Sequence, residues 1–163
     1  MSLNDAFRAK SVNFRLSVFA GVVLASGILS AQTPSLAGSW QMDPSKSQVS
    51  DGRLVSMVIV SVGDKIQVSA TTRDKNGKEI TSDFICAPNG KECAYNEGGH
   101  KSKLSMWFSG DVLNGAKTDG PPGDVVDMWK LEISSGGKVL TLSVEHVDPN
   151  GPKETLVFGK KET

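Results

Sequence analysis

The sequence has little of the material from which several common classes of protein are built. Of its 163 residues, two are cysteine and 6% are aromatic, and 18 acidic side chains balance 18 basic ones. A balanced charge without a basic stripe offers nothing that attracts nucleic acid or an anionic membrane. The two cysteines lack the further ligands of a zinc site and the spacing of a Cys-X-X-Cys redox pair. We therefore expect no nucleic-acid partner, no metal site and no cofactor.

Long apolar runs are also scarce, and the one that occurs lies near the N-terminus. The run "LSVFAGVVLASGIL" holds 14 residues, whereas a membrane-spanning helix needs about 20. It follows Arg8, Lys10 and Arg15 and is followed by the small residue Ala31, which is typical of a cleaved secretory signal peptide. We expect residues 1–31 to be this signal peptide and residues 32–163 to be one exported domain, periplasmic or extracellular, without stable membrane insertion.

Export gives the two cysteines a structural interpretation. Cys86 and Cys93 lie in "DFICAPNGKECAY", and a disulfide is the default state of such a pair in an oxidising compartment. A two-residue hairpin turn centred on Asn89-Gly90 would set the cysteines opposite each other. Because Pro88 has no amide for the ladder, a longer loop is the alternative. In either case the sequence predicts a disulfide within one hairpin.

Beyond residue 31 no segment longer than a turn shows helical periodicity with a cap at its start, and β-rich runs recur about every ten residues instead. These runs are 38–42, 54–62, 65–73, 79–86, 92–95, 101–108, 112–118, 125–133, 139–147 and 154–160. The connectors are rich in Gly, Asn, Asp and Pro and are too short for parallel crossovers. The sequence therefore predicts an all-β fold, an antiparallel up-and-down meander of eight to ten strands that closes into a barrel.

The hairpin formed by "VVDMWKLEI" and "KVLTLSVEHV" carries the candidate site. If Ile133 faces Leu140 across the turn "SSGG", each step outward pairs two residues of the inner face, and Asp127 comes opposite His146. An unpaired carboxylate or imidazole in that interior would be costly, so each is the natural partner of the other. Two interpretations stay open: a structural pair near the rim, or polar groups that orient a ligand at a cavity mouth beside Trp129.

Catalysis by this pair is not expected. A histidine backed by an aspartate can act as a general base, but Ser143 on the same strand faces outward by alternation. No Gly-X-Ser-X-Gly elbow and no activated cysteine accompanies the pair. We therefore expect the protein not to be an enzyme.

The start of the mature chain carries a family resemblance. In "AGSWQMDPSKS", Gly38 and Trp40 form a Gly-X-Trp pattern on the first strand, and "DGPPGDVVDMWKL" and "HVDPNGPKETLVF" follow later. These segments resemble secreted bacterial proteins of lipocalin-like, calycin type with uncharacterised function. The resemblance implies a barrel that holds small apolar molecules, with Gly38 allowing close approach of the chain and Trp40 plugging one end. Where lipocalins place an arginine that stacks on this tryptophan, the chain has Lys160 and Lys161.

Together these features predict a lipocalin-like barrel that binds a small, mostly apolar molecule. The candidate ligand-binding residues are Trp40, Asp127, Trp129 and His146. The alternative is a structural or protein-interaction module with a filled core, anchored through the outward-facing Trp107. Interior volume separates the two, and ten strands would favour a cavity over a filled barrel. Nothing in the pattern specifies an oligomeric state.

Overall fold

Ten antiparallel strands make up the computed structural model, which describes residues 35–120 and 123–162. The strands are β1 (Gly38–Met42), β2 (Leu54–Val62), β3 (Lys65–Arg73), β4 (Glu79–Cys86), β5 (Asn89–Glu97), β6 (His100–Ser109), β7 (Val112–Asp119), β8 (Asp124–Ile133), β9 (Val139–His146) and β10 (Glu154–Lys160). The predicted signal peptide, residues 1–31, lies outside the described residues. Within the described ranges, no helix is long and apolar enough to cross a membrane.

Each strand pairs with the next one along the chain, and β1 pairs with both β2 and β10, which closes the sheet into a barrel. The predicted all-β meander and its closure are therefore confirmed. The short connectors between the strands explain this topology. Links such as 63–64 and 110–111 leave room only for a reversal between neighbouring antiparallel strands.

The strand connections define two ends of the barrel. One end, which we call the closed end, has the connections 63–64, 87–88, 110–111 and 134–138. The other end, which we call the mouth, includes the connections 43–53, 74–78, 98–99 and 147–153. Two of the mouth connections are long enough to fold over the barrel. Gln48 in the first of these forms a bridge with Thr155 of β10.

Large side chains fill the interior away from the mouth. The most completely buried ones are Trp40, Phe158, Leu104, Met106, Leu113, Leu140 and Cys86. The indole Nε1 of Trp40 donates a hydrogen bond to the carbonyl oxygen of Leu36 at 2.9 Å. Trp40 therefore combines a large buried apolar area with a satisfied polar atom, as a core tryptophan requires.

The Gly-X-Trp pattern has a direct structural cause. Gly38 adopts a φ of 146°, and a Cβ at this position would overlap the Lys160 side chain. The glycine thus allows Lys160 to cross β1 and to place its ammonium 5.2 Å from the centre of the Trp40 ring. Gly38 therefore leaves room for the Lys160 side chain, whose ammonium lies over the face of Trp40.

Cys86 and Cys93 form the predicted disulfide, with Cα atoms 5.5 Å apart. Two forms of the β4–β5 connection were expected, a two-residue turn and a longer loop, and the structure has the longer loop. The β4–β5 ladder ends at Phe84 opposite Tyr95, and Asn89 pairs instead with β6, where a bulge precedes Glu92. The β4–β5 register is the one that places Cys86 opposite Cys93, but the Asn-Gly dipeptide lies at the tip of a wide loop and not in a two-residue turn, which is consistent with the lack of an amide on Pro88.

Candidate functional site

A cavity of about 440 Å³ lies inside the mouth half of the barrel. Its apolar wall consists of Val55, Met57, Val68, Ala70, Phe84, Trp129, Leu131, Leu142, Val144 and Leu156. Its polar lining consists of Asp51, Arg53, Thr72, Ser82, Tyr95, Glu97, Lys117, Asp127 and His146. Most of the polar residues stand at the strand ends or connections of the mouth. The site is thus an apolar chamber with a charged entrance.

The Asp127–His146 pair is the part of this entrance that the sequence predicted. Asp127 lies opposite His146 in the β8–β9 register, as Trp129 lies opposite Val144. The Nδ1 atom of His146 and the Oδ1 atom of Asp127 are 2.7 Å apart, and the pairing is confirmed. One third of the His146 side chain is exposed, so the imidazole is accessible to a molecule that enters the mouth.

Glu154 lies beside this pair and is almost completely buried. Its carboxylate accepts hydrogen bonds from the Arg53 guanidinium and from the amide and hydroxyl of Ser50, at 3.2 and 2.9 Å. Burial alone would raise the pKa of Glu154, but the bonds from Arg53 and Ser50 outweigh burial and lower its pKa to about 2. Its Oε2 atom is 3.7 Å from Nε2 of His146, so the imidazole lies between two carboxylates.

Lys117, on β7, lies beside Asp127 in the β7–β8 register. Its ammonium lies 3.0 Å from Oε2 of Glu97 and 3.9 Å from Oδ2 of Asp127. The same ammonium is 5.0 Å from the centre of the Tyr95 ring, within the range of a cation–π interaction. Lys117 therefore has a carboxylate on either side and an aromatic face against its ammonium.

Three aromatic rings lie against one another in the cavity wall. The ring centres of Tyr95 and Trp129 are 5.5 Å apart, and Phe84 lies 5.9 Å from Tyr95 and 6.4 Å from Trp129. Gly115 lies directly opposite Trp129 on β7, and the indole packs close to the backbone of this glycine. Burial raises the pKa of Tyr95 to about 12, so its phenol stays uncharged at neutral pH.

Three of the four candidate binding residues come together at this site. Asp127, Trp129 and His146 line the cavity, whereas Trp40 does not and belongs to the filled core. The outward-facing Trp107 is half-buried, between Asn89 and Asn114 on the neighbouring strands.

Sequence reasoning missed the other charged residues in and beside the entrance. These are Asp51, Arg53, Glu97, Lys117 and Glu154. The alternation that identified Asp127 also marks three of them, because Glu97 continues the inward row of Tyr95, Lys117 that of Gly115, and Glu154 that of Leu156. Arg53 lies in the connection before β2, where strand alternation does not apply.

The mouth contains several acidic side chains, yet in the ranges 35–120 and 123–162 no three His, Cys, Asp or Glu side chains form a group that could hold a metal ion. Comparison with models of known protein families gives no match for the chain, and comparison with curated proteins gives none either. The interpretation of the site therefore depends on its geometry and chemistry.

Proposed function

We propose that the protein is an exported, lipocalin-like binding protein that holds a small, mostly apolar molecule in the mouth half of its barrel. The observation that carries this proposal is the cavity of about 440 Å³ with its apolar wall. Ligand sites are typically mostly apolar clefts of roughly 300 to 1,000 Å³ with a few polar groups that fix orientation. Asp127, His146 and Trp129 are the residues placed to supply that orientation.

The size of the cavity supports binding over a filled, purely structural module. Protein interiors are packed so closely that voids larger than a water molecule are few. A space of this size therefore exceeds what imperfect packing leaves. A barrel of eight strands has an interior that side chains can just fill. A barrel of ten strands is wider and leaves more space inside.

The surroundings of His146 support a binding role over catalysis. In the described part of the chain, Asp127 is the side chain that hydrogen-bonds to the imidazole, and the next polar contact is the Glu154 carboxylate. No hydroxyl or thiol among those residues forms a hydrogen bond with His146, which favours orientation of a ligand over activation of a protein nucleophile. The Cys86–Cys93 disulfide supports the exported location.

Filling the cavity tests the proposal. N-phenyl-1-naphthylamine, a neutral apolar fluorophore, is titrated into the wild-type protein and into Ala70→Leu, whose new side chain points into the cavity. We expect the wild type to bind the fluorophore and Ala70→Leu to bind it about tenfold more weakly, because overpacking costs about 1 to 3 kcal/mol. Ala116→Leu makes the same change on the outer face of β7 and should leave the affinity unchanged. Absence of binding to the wild type, or equal losses in both variants, would contradict the proposal.

A further inference from the structure

We propose that the molecule held in this cavity is a cationic amphiphile, with an apolar body in the chamber and one ammonium group at the mouth. The inference rests on the proposed function and specifies its ligand class. Three observations support it: the charges at the entrance, the exposure of each charged group, and the position of the Lys117 ammonium.

The entrance carries more negative than positive groups. The carboxylates of Asp51, Glu97 and Asp127 line the cavity, as do the permanent cations Arg53 and Lys117. The fourth carboxylate, that of Glu154, is buried against Arg53. Four carboxylates and two cations leave a net charge of −2 when His146 is neutral, and of −1 when it is protonated. Because the chamber behind them is apolar, this charge acts in a region of low polarity, where charge interactions are stronger than in water. The entrance therefore attracts cations and repels anions.

Accessibility strengthens this asymmetry. The side chains of Arg53 and Lys117 are only 20% and 13% exposed, and those of Asp127 and Glu154 are 17% and 3% exposed. The two most exposed charged groups are the carboxylates of Asp51 and Glu97, at 56% and 43%. Each cation is already paired, Arg53 with Glu154 and Asp51, and Lys117 with Glu97. An anionic head group would meet the carboxylates first and would have to displace one of them to reach a cation.

The position of Lys117 shows how the entrance accommodates an ammonium. Its Nζ lies against the face of Tyr95 while carboxylates flank it, which is the combination that stabilises a cation through its charge and through the ring quadrupole. Trp129 and Phe84 extend this aromatic surface along the cavity wall. A ligand ammonium at the mouth would find the same two kinds of group, with its apolar body below.

Three compounds that share an eight-carbon chain but differ in charge provide the first test. Octylammonium, 1-octanol and octanoate are titrated into the purified protein at pH 7 and followed by calorimetry. We expect affinity to fall in that order, by about threefold to tenfold for each step in charge, as expected for partly screened charges a few ångströms apart. The octanol affinity measures the intact chamber, so the octylammonium-to-octanol ratio reports on charge alone.

Two variants give the sign of the effect. Lys117→Met removes the competing ammonium and keeps the length of the side chain, so it should raise the octylammonium-to-octanol ratio several-fold and lower that of octanoate. Glu97→Gln should do the reverse. Glu132→Gln removes an exposed carboxylate from the outer face of β8 and should leave both ratios unchanged. An anion-binding site that used Lys117 would be recognised in the wild type, where octanoate would bind more tightly than octanol and octylammonium more weakly.

The outcomes separate this inference from the function on which it rests. If octanol binds but octylammonium binds no better, or if Lys117→Met weakens octylammonium relative to octanol, the cationic ligand class is wrong and the apolar chamber stands. If none of the three compounds binds, the proposed function itself is contradicted.

Discussion

The closed half and the mouth half of the barrel are built from the same ten strands, yet one is filled and the other is hollow. The large side chains that are most completely buried, Trp40 and Phe158 among them, are all absent from the cavity lining. The wall of the mouth half combines the three aromatic rings with smaller residues such as Ala70 and Val68, and charged side chains line part of its entrance. We infer that the half near the closed end stabilises the fold through its packed core. The half near the mouth is less tightly packed and therefore has an accessible interior.

A tryptophan from each half gives the largest expected contrast. Trp40→Ala should lower the free energy of unfolding by about 3 to 5 kcal/mol, because it leaves a void in a packed core. Trp129→Ala should cost less than half of that, because the indole borders a cavity that already exists. Urea denaturation of both variants measures the difference, with Trp107→Ala as a control on the outer surface. Equal losses for Trp40 and Trp129 would mean that the mouth half is packed as tightly as the closed half.

Glu154 tests the electrostatics of the mouth. Its pKa is lowered from 4.5 to about 2 in the folded protein, so its contribution is fully present above pH 4.5 and is lost as the pH falls towards 2. Glu154→Gln should therefore be less stable than the wild type by about 2 to 3 kcal/mol at pH 7. The difference should shrink steadily between pH 4.5 and 2.

Denaturant titrations across this pH range measure the effect. Glu132→Gln, which changes an exposed carboxylate, serves as the control and should be almost neutral at every pH. A Glu154→Gln deficit that does not change between pH 7 and pH 2 would show that the ionised carboxylate is not what stabilises the mouth.

The smallest expected effect concerns the closed end. Lys160→Met retains the aliphatic stem beside Gly38 and removes the ammonium that lies over Trp40. We expect a loss of about 0.5 to 1 kcal/mol, the usual size of a cation–π contact at a site exposed to solvent. In a Trp40→Phe background the same change should cost less, since phenylalanine attracts cations more weakly. An identical cost in both backgrounds would rule out the ring as the partner.

The sequence could predict those features of the two halves that depend on interactions between neighbouring strands. Strand alternation and turn chemistry act between neighbours, and they were enough to predict ten candidate strands, within an expected total of eight to ten, and the pairing of Asp127 with His146. The same reasoning placed Cys86 opposite Cys93. It also predicted that Trp107 faces outward, and the structure has Trp107 half-buried on the outer face of β6.

The rest of the site depends on closure of the barrel. Glu154 meets Arg53 only because β10 and the connection before β2 come together when β1 joins both strands. Likewise, Lys117 reaches Glu97 although another strand, β6, lies between β5 and β7. Interior volume also depends on how side chains from all strands meet, which is why a mixture such as Ala70 and Trp129 could not specify a cavity in advance.

The most direct test of the hollow mouth is a methyl-labelled NMR titration with 1-octanol. Our account predicts that shift changes concentrate on the methyl groups of the cavity wall, such as those of Met57, Val68 and Leu156. The methyl groups of Leu113 and Leu140, in the filled core, should move little. Changes that are equal in both halves, or that are confined to the outer surface, would contradict the account of a barrel that is filled at one end and binds a ligand at the other.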